Sequence, residues 1–155
     1  MAVREKLLIA VDETETSMHA LHYVAQIAGC MEPMTICLLH IYPEPPPDFY
    51  LKGGTLASYK ENQNAKAERV FSQAMIILEK AGVNKARVST DNRFAEGKTI
   101  SEELLAVRSE GDFGTVVVGK RGVSRTEEFL FGSISNALAQ HSTSFTTWIV
   151  GSDDH

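Results

Sequence analysis

Short apolar runs alternate along this chain with longer segments of helical periodicity. Leu7 to Val11, Thr35 to Ile41 and Thr115 to Val118 are continuous apolar stretches without the polar alternation of a half-exposed strand, so each is predicted as a fully buried strand. Ala86 to Thr90 is a weaker strand, expected near a sheet edge, and Thr146 to Val150 is the last strand. Between these runs the apolar spacing becomes helical. A helix is predicted to open among the N-cap candidates from Thr14 to Ser17, with Leu21, Val24, Ala25 and Ala28 on one side and Gly29 near its end. The longest helical pattern runs from about Ala57 to Ala81. It places Tyr59, Ala67, Val70, Phe71, Ala74, Ile77, Leu78 and Ala81 on one face, with Gly82 as its stop. Thr99 to Glu110 and Ile134 to His141 complete the set. The stretch from Tyr42 to Leu56 carries Pro43, Pro45, Pro46 and Pro47 and is expected to lack regular structure.

Strand and helix thus alternate four times before a closing strand. That order predicts an α/β fold: a doubly wound, five-stranded parallel sheet with helices on both faces. Ligands bind such sheets at the carboxyl ends of the strands, where the winding reverses. Two strand ends carry the candidate chemistry, Asp12 after the first strand and Gly119 after the fourth. They share a crevice if those strands are neighbours, which the order 3-2-1-4-5 provides.

Composition narrows the classes. A chain of 155 residues is expected to form one domain, and 43% hydrophobic with 23% charged residues is ordinary for a soluble globular protein. The net charge of −5 argues against a general nucleic-acid binder. No apolar stretch approaches the roughly 20 residues that span a bilayer. The charged start of the chain does not read as a signal peptide, and Cys30 and Cys37 fit no zinc or redox spacing. A cytoplasmic protein is expected, with Cys37 as a core residue.

The chemistry concentrates after the fourth strand. Gly119 and Gly122 follow the apolar run directly, Lys120, Arg121 and Arg125 make the loop basic, and Gly132 and Ser133 open the next helix. Glycines allow close backbone approach, and a helix N-terminus presents unpaired N–H groups that suit phosphate. Arg125 is the side chain best suited to reach a terminal phosphate. Gly114 to Lys120 has the letters of a phosphate-binding P-loop, but its interior is a strand and Arg121 stands where Ser or Thr is required, so that reading is rejected. His19 and His22 lie three apart on a helix without a convincing third ligand and are expected as one solvent-facing and one half-buried histidine; His40 is expected to pack.

With Leu8-Ile9-Ala10-Val11-Asp12 and Ser17, Leu38-Leu39-His40-Ile41, and Val117-Val118-Gly119-Lys120-Arg121-Gly122 continuing to Gly132-Ser133-Ile134-Ser135, the chain resembles the universal stress protein family over nearly its whole length, and its glycine spacing resembles the ATP-binding branch. The resemblance implies that Ala10, Val11 and Ile41 line an adenine pocket and that Asp12 lies near the ribose or a phosphate-bound metal. It implies that Gly119, Arg121 and Gly122 border ribose and phosphates, and that Gly132, Ser133, Ile134 and Ser135 hold phosphates at the helix start. It also implies ATP with Mg²⁺ (or Mn²⁺) as ligands, and a homodimer paired through the last strand. Ser144 to Val150 departs from the family's proline-led final strand, which bears on the dimer edge.

No nucleophile with a partnered base accompanies these elements. The expectation is therefore an ATP-binding stress-response regulator acting as a homodimer on an unknown protein partner, with slow hydrolysis left open. The alternatives are a nucleotide-dependent hydrolase or transferase and a nucleotide-free interaction module of the same fold.

Overall fold

The computed structural model describes residues 3–31, 34–120 and 133–151, without the side chain of Ser133. The elements follow in the order β1 (Val3–Ala10), α1 (Glu15–Ala28), β2 (Thr35–Pro43), α2 (Pro47–Leu51), α3 (Leu56–Lys80), β3 (Val88–Ala95), α4 (Ile100–Glu110), β4 (Phe113–Gly119), α5 (Ser133–His141) and β5 (Thr146–Val150). The five strands form one sheet in the order β3-β2-β1-β4-β5, with every pairing parallel. β1 is central, and its neighbours are β2 and β4.

Alternation along the strands sends side chains to two cores. Leu7, Ile9, Ile36, Leu38 and Val117 meet Leu21 and Val24 of α1 and Val70, Ala74 and Leu78 of α3. Leu8, Leu39, Val116 and Val118 meet Leu104 and Val107 of α4 and Leu138 of α5. Burial on both faces is why β1, β2 and β4 are unbroken apolar runs.

Helix starts follow their caps. Thr14 caps α1 by accepting from the Ser17 N–H at 3.2 Å. α3 begins at Leu56 under a capping box between Thr55 and Ser58, and Gly82 follows its end with φ +92°. α4 begins with a second box: the Thr99 hydroxyl accepts from the Glu102 N–H at 3.1 Å, and the Glu102 carboxylate accepts from the Thr99 N–H at 2.9 Å. A Thr99→Ala variant is expected to lose about 1 kcal/mol of stability in urea unfolding.

Two expectations are corrected. β3 starts at Val88, two residues later than expected, and continues to Ala95, paired with β2 throughout. Its extra length carries Asp91, Asn92 and Arg93, charged and polar residues that belong on an edge strand. The proline-rich stretch is not devoid of regular structure. Pro43 closes β2, and Pro47 opens α2 from the first helical position, where its missing N–H is not needed. The Phe49 ring of α2 then packs on Tyr59, with centroids 5.5 Å apart, and the Tyr59 hydroxyl donates to the Pro43 carbonyl at 2.6 Å.

Candidate functional site

The chain leaves β1 for α1 on one face of the sheet and leaves β4 for α5 on the other. The two strands are neighbours, with Ile9 beside Val117, so their carboxyl ends flank the point where the winding reverses. Asp12 and Gly119 therefore lie at adjacent strand ends.

Three of the apolar candidates share one face. Ala10 stands beside Leu39 in the β1–β2 register, and Ile41 lies two residues further along β2. Ala10, Ile41 and Ile134 of α5 are all half-buried and pack against the cluster of Leu8, Leu39 and Leu138. Val11 belongs to the opposite core, with its side chain buried among residues of α1 and α3. Its main chain stays at the strand end, where its N–H donates to the Leu39 carbonyl at 2.8 Å. Strand alternation accounts for this split between consecutive residues. Ile134 also lines a groove of about 440 Å³ between α4 and α5, together with Ile100, Leu105 and Ala137; Ala10, Ile41, Asp12 and Gly119 do not line it.

Asp12 is tied into the turn that opens α1. Its Oδ1 accepts from the Thr14 N–H at 2.8 Å and from the Thr14 hydroxyl, while its own N–H donates to Ser17 Oγ at 2.8 Å. The helix cap itself is Thr14; Asp12 lies two residues before it. Neighbouring carboxylates have other duties: Glu13 pairs with Lys66 at 3.0 Å, and Glu15 sits in the first turn of α1, where negative charge is favoured.

Gly119 closes β4 against that same turn. A Cβ at this position would lie 2.5 Å from the Thr16 carbonyl oxygen and 2.8 Å from its carbon, so only glycine allows the strand end to reach α1. The next residue is also fixed, since the Lys120 N–H donates to the Val150 carbonyl at 2.8 Å. Phe113–Gly119 is a strand throughout, which agrees with rejecting a P-loop there.

α5 begins at Ser133, so Ser133, Ile134 and Ser135 occupy the first turn, whose N–H groups have no partner within the helix. Ser135 is buried. Arg121, Gly122, Arg125 and Gly132 lie outside the described residues, as does the Ser133 side chain.

The remaining candidate chemistry is structural. His40 is buried; its Nδ1 lies 2.8 Å from Asn92 Oδ1, and the Asn92 amide donates to Asn64 Oδ1 at 2.7 Å. Asn92 Oδ1 can only accept, so His40 Nδ1 carries the proton in this arrangement. His19 and His22 are both exposed, which corrects the half-buried expectation for one of them. Cys37 is buried, and burial pushes its thiol above its ordinary value, which disfavours the reactive thiolate. Among the described residues no group of three or more His, Cys, Asp or Glu side chains could hold a metal, and no helix is long and apolar enough to cross a membrane. A single carboxylate at a strand end does fit Mg²⁺, which is bound through one or two carboxylates together with ligand phosphates.

Sequence reasoning missed the roles of Thr14 and Ser17 in holding Asp12. The signal was available: a hydroxyl-rich turn begins two residues after the carboxylate.

Known proteins share this fold. The model of the universal stress protein family matches residues 4–150. Universal stress protein YxiE of Bacillus subtilis (strain 168) is 26% identical over 140 residues, covering 89% of this chain and 93% of that protein. The solved structure of hypothetical protein MJ0577 superposes with a TM-score of 0.77 at 18% identity, covering 97% of this chain and 98% of that one. Two further structures share the fold. A universal stress protein in complex with cAMP has a TM-score of 0.63 at 17% identity, with 96% and 98% of the two chains covered. The universal stress protein from Archaeoglobus fulgidus in complex with dAMP has a TM-score of 0.61 at 18% identity, with 97% and 98% covered.

Proposed function

Because this chain belongs to the universal stress protein family, we propose that it binds ATP with Mg²⁺ (or Mn²⁺) at the β1/β4 switch point and works as a nucleotide-responsive homodimer. One observation carries the reading. The carboxylate ending β1 and the glycine ending β4 occupy neighbouring strand ends, and Ala10, Ile41 and Ile134 share the face from which α5 presents its first turn. An apolar wall suits adenine. Unpaired N–H groups suit phosphate. Two structural neighbours are complexes with cAMP and dAMP, so an adenine nucleotide is the ligand class they support for this chain.

In this reading Ala10 and Ile41 contact the base. Val11 contributes its main chain at the strand end. Asp12 takes the ribose or the phosphate-bound metal, and Gly119, Arg121 and Gly122 border ribose and phosphates. Gly132, Ser133, Ile134 and Ser135 receive the phosphates at the start of α5, while Arg125 approaches the terminal phosphate. The metal would supply charge neutralisation of the phosphates. Asp12 would be its one protein carboxylate.

The dimer reading rests on β5, an edge strand with half-buried Thr147 to Val150. An unpaired edge is suited to joining another copy. The polar Thr147 has a local role: its hydroxyl pairs with Ser142 just past the end of α5. Trp148 meets Tyr23 edge-on at 6.5 Å.

Purified chain denatured without added nucleotide is expected to release an adenine nucleotide that absorbs at the wavelength of adenine. An Ile41→Arg variant is expected to release none while keeping its circular dichroism. Ser133→Ala is expected to weaken ATP binding by about 1 kcal/mol, the worth of one hydrogen bond. Unchanged retention by Ile41→Arg would remove the adenine assignment.

A further inference from the structure

We propose that the first turn of α1 is the gauge of the nucleotide site: Ser17 and Thr16 act as positioning residues that hold Asp12 and the end of β4 at a set separation. This inference rests on the nucleotide-binding reading above.

The hydrogen bonds around Asp12 form a closed ring. The Asp12 N–H donates to Ser17 Oγ at 2.8 Å, the Ser17 N–H donates to Thr14 Oγ1 at 3.2 Å, and the Thr14 N–H donates to Asp12 Oδ1 at 2.8 Å. The Thr14 hydroxyl is also bonded to Asp12 Oδ1. A carboxylate accepts only, so the single Thr14 hydroxyl proton points at Asp12. Thr16 must then be the donor in its 3.1 Å contact with Thr14 Oγ1. Main chain and carboxylate of Asp12 are thus tied to one helical turn by two separate routes.

The other side of the turn meets β4. Thr16 and Ser17 are buried, and the space between Gly119 and the Thr16 carbonyl is too small for a methyl group. The turn is wedged between the two strand ends that the nucleotide must bridge. A hydroxyl on Ser17 exceeds what a helix start requires, because Thr14 already supplies the cap. That hydroxyl instead accepts from the Asp12 amide. Ser17 thus fixes the main chain that carries the carboxylate, while Thr14 bonds the carboxylate itself; loss of outer-shell support of a ligating group typically lowers metal affinity on the order of 10–100-fold.

Calorimetric titration of the chain with Mg-ATP, with ATP in EDTA and with adenosine tests this. The parent chain is expected to bind Mg-ATP more tightly than metal-free ATP. Ser17→Ala is expected to lose that difference, weakening Mg-ATP on the order of 10–100-fold while leaving adenosine unchanged, and Ser17→Thr is expected to restore it. Thr14→Val removes the hydroxyl bond to the carboxylate, leaving the bond from the residue 14 N–H in place, and should reproduce part of the loss should the buried substitution fail to fold. Mg-ATP affinity and metal dependence unchanged in both variants would overturn the inference and leave the nucleotide reading standing. A uniform loss across all three ligands, adenosine included, would mark Ser17 as merely structural and also overturn it. A parent chain that binds ATP without metal dependence would do the same. A parent chain that binds neither ATP nor adenosine would overturn the reading beneath it as well.

Discussion

A Gly119→Val variant is expected to melt well below the parent chain even with no nucleotide present. The Cβ would fall 2.5 Å from the Thr16 carbonyl oxygen, 2.8 Å from its carbon and 3.2 Å from the Ser17 nitrogen. All three are main-chain atoms of a capped helical turn, so no side chain can rotate aside. Either β4 or α1 must shift. Overpacking of a well-filled site costs up to about 3 kcal/mol. For a chain of this size that lowers the melting temperature by roughly 6–12 °C. Differential scanning calorimetry on nucleotide-free protein checks it. A parent-like melting temperature would mean that Gly119 is needed for ligand approach alone.

The second large effect is expected from Leu8→Ala. Leu8 is fully buried on the central strand, in the cluster formed with Leu39, Leu104, Val116 and Leu138. Its neighbours come from two strands and two helices, so the gap cannot close by moving one element. Truncation at such a site costs about 2–5 kcal/mol, a large fraction of the roughly 5–15 kcal/mol that holds a typical domain folded. Nucleotide that binds only the folded chain should return part of this, about 2.7 kcal/mol at a hundredfold excess over the dissociation constant. Urea unfolding with and without Mg-ATP measures both quantities. An undiminished midpoint in the variant would contradict the described core, and a midpoint indifferent to Mg-ATP would contradict the site.

The legibility of the chain followed burial. β1, β2 and β4 are covered on both faces, so their cores stand out as unbroken apolar runs, although β1 begins as early as Val3 and β4 at Phe113. β3 is an edge, and its outer length is held by polar contacts that hydrophobic periodicity does not register. Arg93 links Asp91 at 2.9 Å to Glu110 at 3.4 Å. α2 was hidden for another reason. Four prolines in five residues argue against helix in general, yet Pro47 occupies the one position where proline suits it. Sheet order was legible because it was the arrangement that brought Asp12 and Gly119 together.

The candidate site was legible as a place in the fold more than as a set of side chains. Asp12 and Gly119 were named from the residues, and Ala10 and Ile41 from the family resemblance; the structure puts the first two at adjacent strand ends and packs Ala10 and Ile41 on one face with Ile134 of α5. Val11 was named beside Ala10, although neighbouring strand residues point to opposite faces; its side chain belongs to the core under α1. The packing need for glycine at position 119 was invisible, since the atoms it must avoid belong to Thr16 and Ser17, about a hundred residues away in the chain. Contacts of that sequence separation leave no local pattern to read.

The most direct measurement of the central claim is a calorimetric titration of the nucleotide-free parent chain with Mg-ATP. Saturable heat with one site per chain, displaced by AMP and absent in Ile41→Arg, is the predicted result. No heat at high micromolar protein, or binding that Ile41→Arg retains in full, would contradict a nucleotide seated at the ends of β1 and β4.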